Sequence, residues 1–236
     1  MGVLTTEILK EYFKGKEKPQ SYNVYFISDM HCCHKNILQY QPNRIEAMQL
    51  QNNEDVDGMN KYIYKMWNNT VKRGDHVYLL GDFCVGSTDD VKRCVYKLKE
   101  KGVSLHAIVG NHDRHMSQVF NQFASIDYIK TVTFKKSVFT FMDEDFRVCL
   151  CHYPMLSWPD KSRGSALIYG HIHSRYPFLD KETPDLMVNA GLDAPLSNYQ
   201  LIPLEKVWKY FKDKRGDMTA SEYVAYEKKT YDKFIG

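Results

Sequence analysis

The 236-residue chain has no apolar run of the length that a bilayer requires, so no membrane-spanning helix is expected. It also lacks an excess of either charge. Its 32 Lys and Arg against 29 Asp and Glu leave a net +3, too little to argue for a nucleic-acid or membrane partner. None of the six cysteines (Cys32, Cys33, Cys84, Cys94, Cys149, Cys151) forms a C-x-x-C pair, which removes support for a structural zinc ribbon. The opening stretch MGVLTTEILKEYFKGKEKPQ carries acids and bases where a signal peptide needs an apolar segment. Export is therefore not expected; a cytoplasmic chain with reduced cysteines is. No repeat, low-complexity tract or linker stands out. One domain over residues 1–236 is expected, with a core at about 22–206 and a helical C-terminal extension at 207–236.

What is present is an ordinary soluble composition, 43% hydrophobic and 26% charged, with ample material for a core. The β-rich run YNVYFIS (22–28) predicts a strand that ends in Asp29, and HVYLL (76–80) one that leads to Asp82. VSLHAIVG (103–110) predicts a third, running into Asn111, His112 and Asp113. Polar sequence at 39–55 reads as loop around one short helix. DVDGMNKYIYKMWNNTV (55–71) reads as a helix with Met59, Ile63, Met66 and Trp67 on one face. In STDDVKRCVYKLKEKG (87–102), Ser87 or Thr88 can cap a helix that acids open, lysines close and Gly102 stops. A helix at 115–123 and strands at 128–134, 138–142 and 146–151 follow, then strands in ALIYG and DLMVNAG. The end is helical, with Thr219 and Glu222 forming a capping-box signature. Its aromatics (Trp208, Tyr210, Phe211, Tyr223, Tyr226, Tyr231) are expected to pack on the core or on a second subunit. Strand–helix alternation followed by short strands predicts an α/β fold of stacked sheets with helices outside.

Five polar clusters fall where a predicted strand ends: Asp29-Met30-His31, Gly81-Asp82, Gly110-Asn111-His112-Asp113, His152 and Gly170-His171-Ile172-His173. Strand ends at one sheet edge are where α/β proteins gather ligands. In an extended strand, residues i and i+2 share a side, so Asp29 and His31, or His171 and His173, can point together. Three oxygen donors (Asp29, Asp82, Asn111) and four imidazoles (His31, His152, His171, His173) suit two borderline cations such as Zn²⁺, Mn²⁺ or Fe. They suit Ca²⁺ or Mg²⁺ alone poorly.

In that order, D-x-H, G-D, G-N-H-D, H and G-H-x-H resemble the calcineurin-like metallophosphoesterase superfamily. The flanking text ISDMHCCHKNI and NAGLDAPLSNYQLIPLEKV resembles its small single-domain members from bacteria and phages. The resemblance implies two mixed β-sheets packed as a sandwich between helices (α/β/β/α). It implies that Asp29, His31 and His173 hold one metal, Asn111, His152 and His171 the other, and that Asp82 bridges. His112 matches the histidine that reaches the leaving-group oxygen, with Asp113 behind it; Asp113 can equally be a turn-forming Asp. Many relatives read G-D-x-x-D, whereas Val85 stands here at the second acid, a change that bears on loop support or substrate preference rather than on metal binding. The implied activity is hydrolysis of a phosphodiester, a small nucleotide-type substrate, by a hydroxide bridging two divalent ions (Mn, Fe or Zn) about 3.5–4 Å apart. Two other readings are a nuclease on DNA or RNA, for which the chain shows no long basic groove, and a catalytically silent protein-binding scaffold. The chain is expected to work as a monomer or homodimer. His34 reads as a substrate contact or a surface histidine at a helix start; Arg44, Arg114, Arg163 and Lys35 as phosphate-steering groups or solvated charges. His76, His106 and His115 are assigned no role.

Overall fold

Alternation of side chains along the strands decides the layers. A computed structural model describes residues 22–176 and 178–235. The N-terminal stretch behind the export argument lies outside the described residues. In β1 (Val24–Ile27), Val24 and Phe26 enter one core while Tyr25 and Ile27 enter another. β2 (His76–Leu79) and β3 (Ser104–Ile108) repeat this, sending Val77, Leu79, Leu105 and Ala107 to the same side as Ile27. That outer core is closed by α3 (Val56–Thr70) and α4 (Thr88–Lys99), whose buried faces are Met59, Ile63, Met66, Trp67 and Val91, Cys94, Val95, Leu98. Each large side chain fully buried here contributes about 1.5–3 kcal/mol relative to exposure. Ser87 and Asp90 form a complete capping box on α4, and Trp67 Nε1 donates to Leu98 O at 3.0 Å, tying the two helices.

The inner core lies between two sheets. The first has the order β4-β3-β2-β1-β9, with β4 (Ser125–Asp127) parallel and β9 (Ile202–Pro203) antiparallel to its neighbour. The second has the order β5-β6-β7-β8: β5 (Ile129–Phe134) is antiparallel, while β6 (Phe146–Cys151), β7 (Ala166–Tyr169) and β8 (Met187–Asn189) run parallel. Val148, Leu150, Ile168 and Val188 of the second sheet meet Phe26, Tyr78 and Ile108 of the first. The fold is the expected sandwich of two mixed sheets with flanking helices. Among the described residues no helix is long and apolar enough to cross a membrane, and all six cysteines are unpaired thiols.

Four local expectations change. Residues 138–142 form turns, not a strand; Phe139 and Met142 fold back by backbone bonds to Lys135 O and Phe139 O and bring Met142 into the core. Their run of apolar and β-prone residues imitates a strand, but among the described residues no strand pairs with them. The helix expected at 115–123 is a 3-10 helix, Met116–Gln122. The polar stretch at 39–55 overlaps two short helices, α1 (Ile37–Tyr40) and α2 (Asn43–Ala47). β4 was not anticipated.

A four-residue helix α5 (Phe178–Lys181) precedes β8. The C-terminal helices α6 (Leu204–Arg215) and α7 (Ala220–Ile235) pack on this same chain: Trp208, Phe211 and Tyr223 are buried in the inner core. Tyr210 donates to Asp180 O at 2.7 Å, whereas Tyr226 stays exposed. The Thr219–Glu222 capping box forms as expected. α7 is further held by a polar cluster in which Lys161 Nζ reaches Asp185 Oδ1 (2.6 Å) and Glu227 Oε1 (3.3 Å) and Tyr231 donates to Asp185 Oδ2 (2.8 Å).

Burial, then the neighbouring Asp185, pushes Glu227 up to about 7 against the pull of Lys161. An acid raised in the fold stabilises only while protonated. Stability is therefore intact below the unfolded pKa of about 4.3 and falls as pH rises towards about 7. The protection of α7 amides, measured relative to base-catalysed intrinsic exchange, is expected to fall from about pH 5 to about pH 8, and Glu227→Gln to flatten that slope. An undiminished slope in Glu227→Gln would assign it to another group.

Candidate metal centre

Parallel strands put their C-terminal ends at one edge. Asp29 follows β1, Asp82 follows β2, Asn111 to Asp113 follow β3, His152 follows β6, and His171 and His173 follow β7. The backbone does not stay extended there. Asp29 (φ 54°), His31 (φ 51°), Asp82 (φ 53°), His171 (φ 73°) and His173 (φ 52°) all adopt left-handed conformations. Non-glycine residues rarely do so, and such strain clusters at functional sites. Asp29 and His31 therefore converge through left-handed turns, not by strand alternation, and His171 and His173 part company.

The side chains form two groups whose donor atoms lie within 4.8 Å of one another: Asp29, His31 and His173, and Asp82, His152 and His171. Asp29 Oδ1 lies 3.8 Å from His31 Nε2 and 3.9 Å from His173 Nε2. Asp82 Oδ2 reaches into both groups, 3.8 Å from His31 Nε2 and 3.4 Å from His152 Nε2. Asn111 Oδ1 lies 3.1 Å from His152 Nε2. All seven residues expected as ligands thus come together.

The donors fit cations. Asp29 Oδ1 and both ring nitrogens of His31 are buried without any hydrogen-bond partner, which ordinarily costs about 1–3 kcal/mol for each group. His152 Nδ1 is committed to Leu80 O at 2.7 Å, so a neutral ring turns its Nε2 lone pair toward Asn111 Oδ1 and Asp82 Oδ2. Three acceptors facing one another need a proton or a cation between them. Burial alone would raise the pKa of Asp29, but His31, then His173 and His152, outweigh it and hold the carboxyl below the usual carboxylate range. Burial likewise works against Asp82, which His152 brings below the carboxylate range. Burial holds His31 and His171 below the usual imidazole range, favouring their neutral, ligating forms.

The supports differ from expectation. Asp113 does not hydrogen-bond the His112 ring. Its buried carboxylate accepts from the N–H groups of Gly110 (2.8 Å), Asp82 (3.0 Å) and Phe83 (3.3 Å), so it fixes the two turns that carry Asp82 and Asn111. His112 is held by its own N–H, which donates to Asp82 Oδ1 at 2.8 Å, while its ring lies 5.4 Å from that of His31. Arg44 is neither a phosphate-steering group nor a solvated charge; it is fully buried, with its fork on Asp193. Asp193 in turn accepts from His173 Nδ1 at 2.6 Å. Arg163 is exposed against Asp160, and Arg114 and Lys35 lie outside the cleft.

A cleft of about 400 Å³ opens at the centre, lined by His34, Tyr40, His112, Arg175 and Tyr176 together with His31, Asp82, Asn111, His171 and His173; Asp29 and His152 are fully buried. His34 is therefore a cleft residue. Arg175 is the cleft's guanidinium, and sequence reasoning missed it. Its position two residues after His173 was the available signal. Asp193, within the GLDAP text, was missed as well.

This arrangement defines a class, the α/β sandwich with a cation-binding centre at its parallel strand ends. Residues 23–200 match the calcineurin-like phosphoesterase superfamily domain, and the chain belongs to that superfamily. It is 28% identical to an uncharacterised protein of Methanocaldococcus jannaschii over 190 residues, covering 79% of this chain and 89% of that protein. It is 24% identical to the gene 66 protein of Mycobacterium phage L5, covering 73% of this chain and 87% of the phage protein. Among solved structures, an Aquifex aeolicus protein of unknown function shares the fold with a TM-score of 0.60 at 23% identity, over 80% of this chain and 98% of that one.

Close approach of the sheets depends on Gly170, where a Cβ would run into Ser28 Oγ and Asp29 Oδ2. Gly170→Ala is expected to lower stability by ~1–3 kcal/mol in urea unfolding, the usual cost of overpacking. Adding Ser28→Gly should restore part of the loss; no restoration would place the strain elsewhere.

Proposed function

We propose that the protein is a dinuclear metal-dependent phosphodiesterase acting on a small nucleotide-type substrate. As a member of its superfamily it is a metal-dependent phosphoesterase; the finer reading rests on Asp82. One of its carboxylate oxygens lies within 4 Å of an imidazole from each donor group, the position a shared ligand requires. Asp29, His31 and His173 would hold one ion and Asn111, His152 and His171 the other, with Mn, Fe or Zn matching the mixed oxygen and imidazole donors. When bound, the ions supply Lewis acidity toward the phosphate oxygens and the attacking water.

The chain's own residues do the rest. The cleft volume of about 400 Å³ suits a small ligand. Arg175 offers a charged fork to phosphate oxygens, and His34 stands across from His112, their rings 6.2 Å apart. As water adds to phosphorus and the ester bond breaks, His112 gives its proton to the departing alkoxide. Asp82 anchors the His112 backbone, so the acid and the shared carboxylate move as one unit.

Metal analysis after Mn²⁺ loading is expected to find two ions per chain; one or none would remove the dinuclear reading. His112→Gln should keep both ions and lose ~10²–10⁴-fold in turnover. The loss should be larger for a nucleoside leaving group than for p-nitrophenolate, which departs without a proton. Equal losses on both would leave charge stabilisation as its role. Fully loaded protein that hydrolyses no cyclic nucleotide, bis-p-nitrophenyl phosphate or single-stranded nucleic acid would favour the scaffold reading; activity on the polymer alone would favour a nuclease.

A further inference from the structure

Arg44 is a fully buried charge whose oxygen acceptors all lead to one half of the centre, its remaining contact being Met59 Sδ on α3. Its Nε donates to Asp193 Oδ1 (2.6 Å) and its Nη2 to Asp193 Oδ2 (2.8 Å), a bidentate pair with no exposed surface on the arginine. Nη2 also donates to Asp29 O (2.7 Å) and Nη1 to Met30 O (2.8 Å). These two carbonyls belong to the left-handed turn that carries Asp29 and His31. Asp193 Oδ2 then accepts a hydrogen bond from His173 Nδ1–H at 2.6 Å, which in the neutral ring leaves Nε2 unprotonated, 3.9 Å from Asp29 Oδ1.

We infer that Arg44 and Asp193 are positioning residues for the Asp29–His31–His173 group alone: the guanidinium holds the Asp29–His31 turn and orients Asp193, and Asp193 fixes the ligating tautomer of His173. The inference rests on the metal reading above, but its central element, the tautomer, exists without metal. In the other half Asp82, Asn111 and His152 have separate supports, while His171 N–H donates to Asp29 Oδ2 (2.8 Å). Asp113 holds the amides at Asp82, Phe83 and Gly110, and Leu80 O fixes His152. The His173 backbone is held separately by Asn189 Nδ2, which donates to its carbonyl (2.6 Å), so loss of Asp193 changes the proton on the ring more than the path of the chain. Carboxylates behind ligating histidines commonly govern affinity by 10–100-fold.

Asp193→Asn replaces one acceptor oxygen with an N–H₂ donor. The amide can then donate to His173 Nδ1, moving the ring proton to Nε2, where it blocks metal. In the metal-free proteins, ¹⁵N histidine spectra are expected to show His173 protonated at Nδ1 in the wild type and at Nε2 in Asp193→Asn. Mn²⁺ titration should show one site weakened ~10–100-fold and the other unchanged, with turnover recovered at high Mn²⁺. Asp193→Asn also strands a buried guanidinium, which is strongly destabilising. The paired variant Arg44→Met/Asp193→Leu removes both charges, and it should fold yet show the same single-site loss. Equal weakening of both sites, or His173 already protonated at Nε2 in the wild type, would overturn the inference. If the wild type binds fewer than two ions, the dinuclear reading fails while the tautomer comparison still decides this one.

Discussion

Two carboxylates buried at the seam between the sheets set the terms for the rest of the molecule. Asp29 and Asp82 are almost fully enclosed, and a buried carboxylate survives only if donors or cations surround it. Each takes one backbone N–H: His171 N–H, from the other sheet, donates to Asp29 Oδ2 at 2.8 Å, and His112 N–H, from the next strand end of the same sheet, to Asp82 Oδ1 at 2.8 Å. These bonds pin the turns after β7 and β3 to those after β1 and β2. The remaining oxygens, Asp29 Oδ1 and Asp82 Oδ2, face imidazoles. The strained turns, the glycine at 170 and the buried Arg44 can each be traced to that burial.

The sandwich supplies the rigidity this requires. Its inner core joins both sheets through Phe26, Tyr78, Ile108, Val148, Leu150, Ile168 and Val188, so the strand ends cannot slide independently. The helices α3 and α4 close the far side of the first sheet. The last helices brace the second, through Trp208 and Phe211 in the core and the Lys161–Asp185–Tyr231 cluster at its periphery. Asp82 lines the cleft together with Arg175, His34 and His112, while Asp29 is fully buried.

Much of this was legible in order along the chain. A strand written in β-branched and aromatic residues, ended by a polar cluster, marks where a side chain is delivered, and side chains from five such clusters come together at these strand ends. The helices α3 and α4 were equally plain because their apolar period and caps are local properties. Reading failed where a local pattern had no partner to complete it. Residues 138–142 have the apolar, β-prone composition of a strand, but a strand requires a neighbour and the chain turns back instead.

By itself the sequence determined the donor chemistry, three oxygens and four imidazoles, and the strand ends that carry it, because residue type and short-range period are written into the chain. How the donors divide followed from the family resemblance and not from spacing, and the tertiary structure supplies the reason. His171 and His173 are two residues apart and join different groups, since left-handed backbone at both positions cancels the alternation their spacing suggests. It also decided what each charge meets. Arg44 reads as a loop cation in sequence and becomes the buried partner of Asp193, 149 positions away. Asp113 reads as an orienter of its neighbour His112 and instead holds amides from the turn after β2. The partner of a charge is a property of packing across the sheets, and no window of sequence contains both sides of that contact.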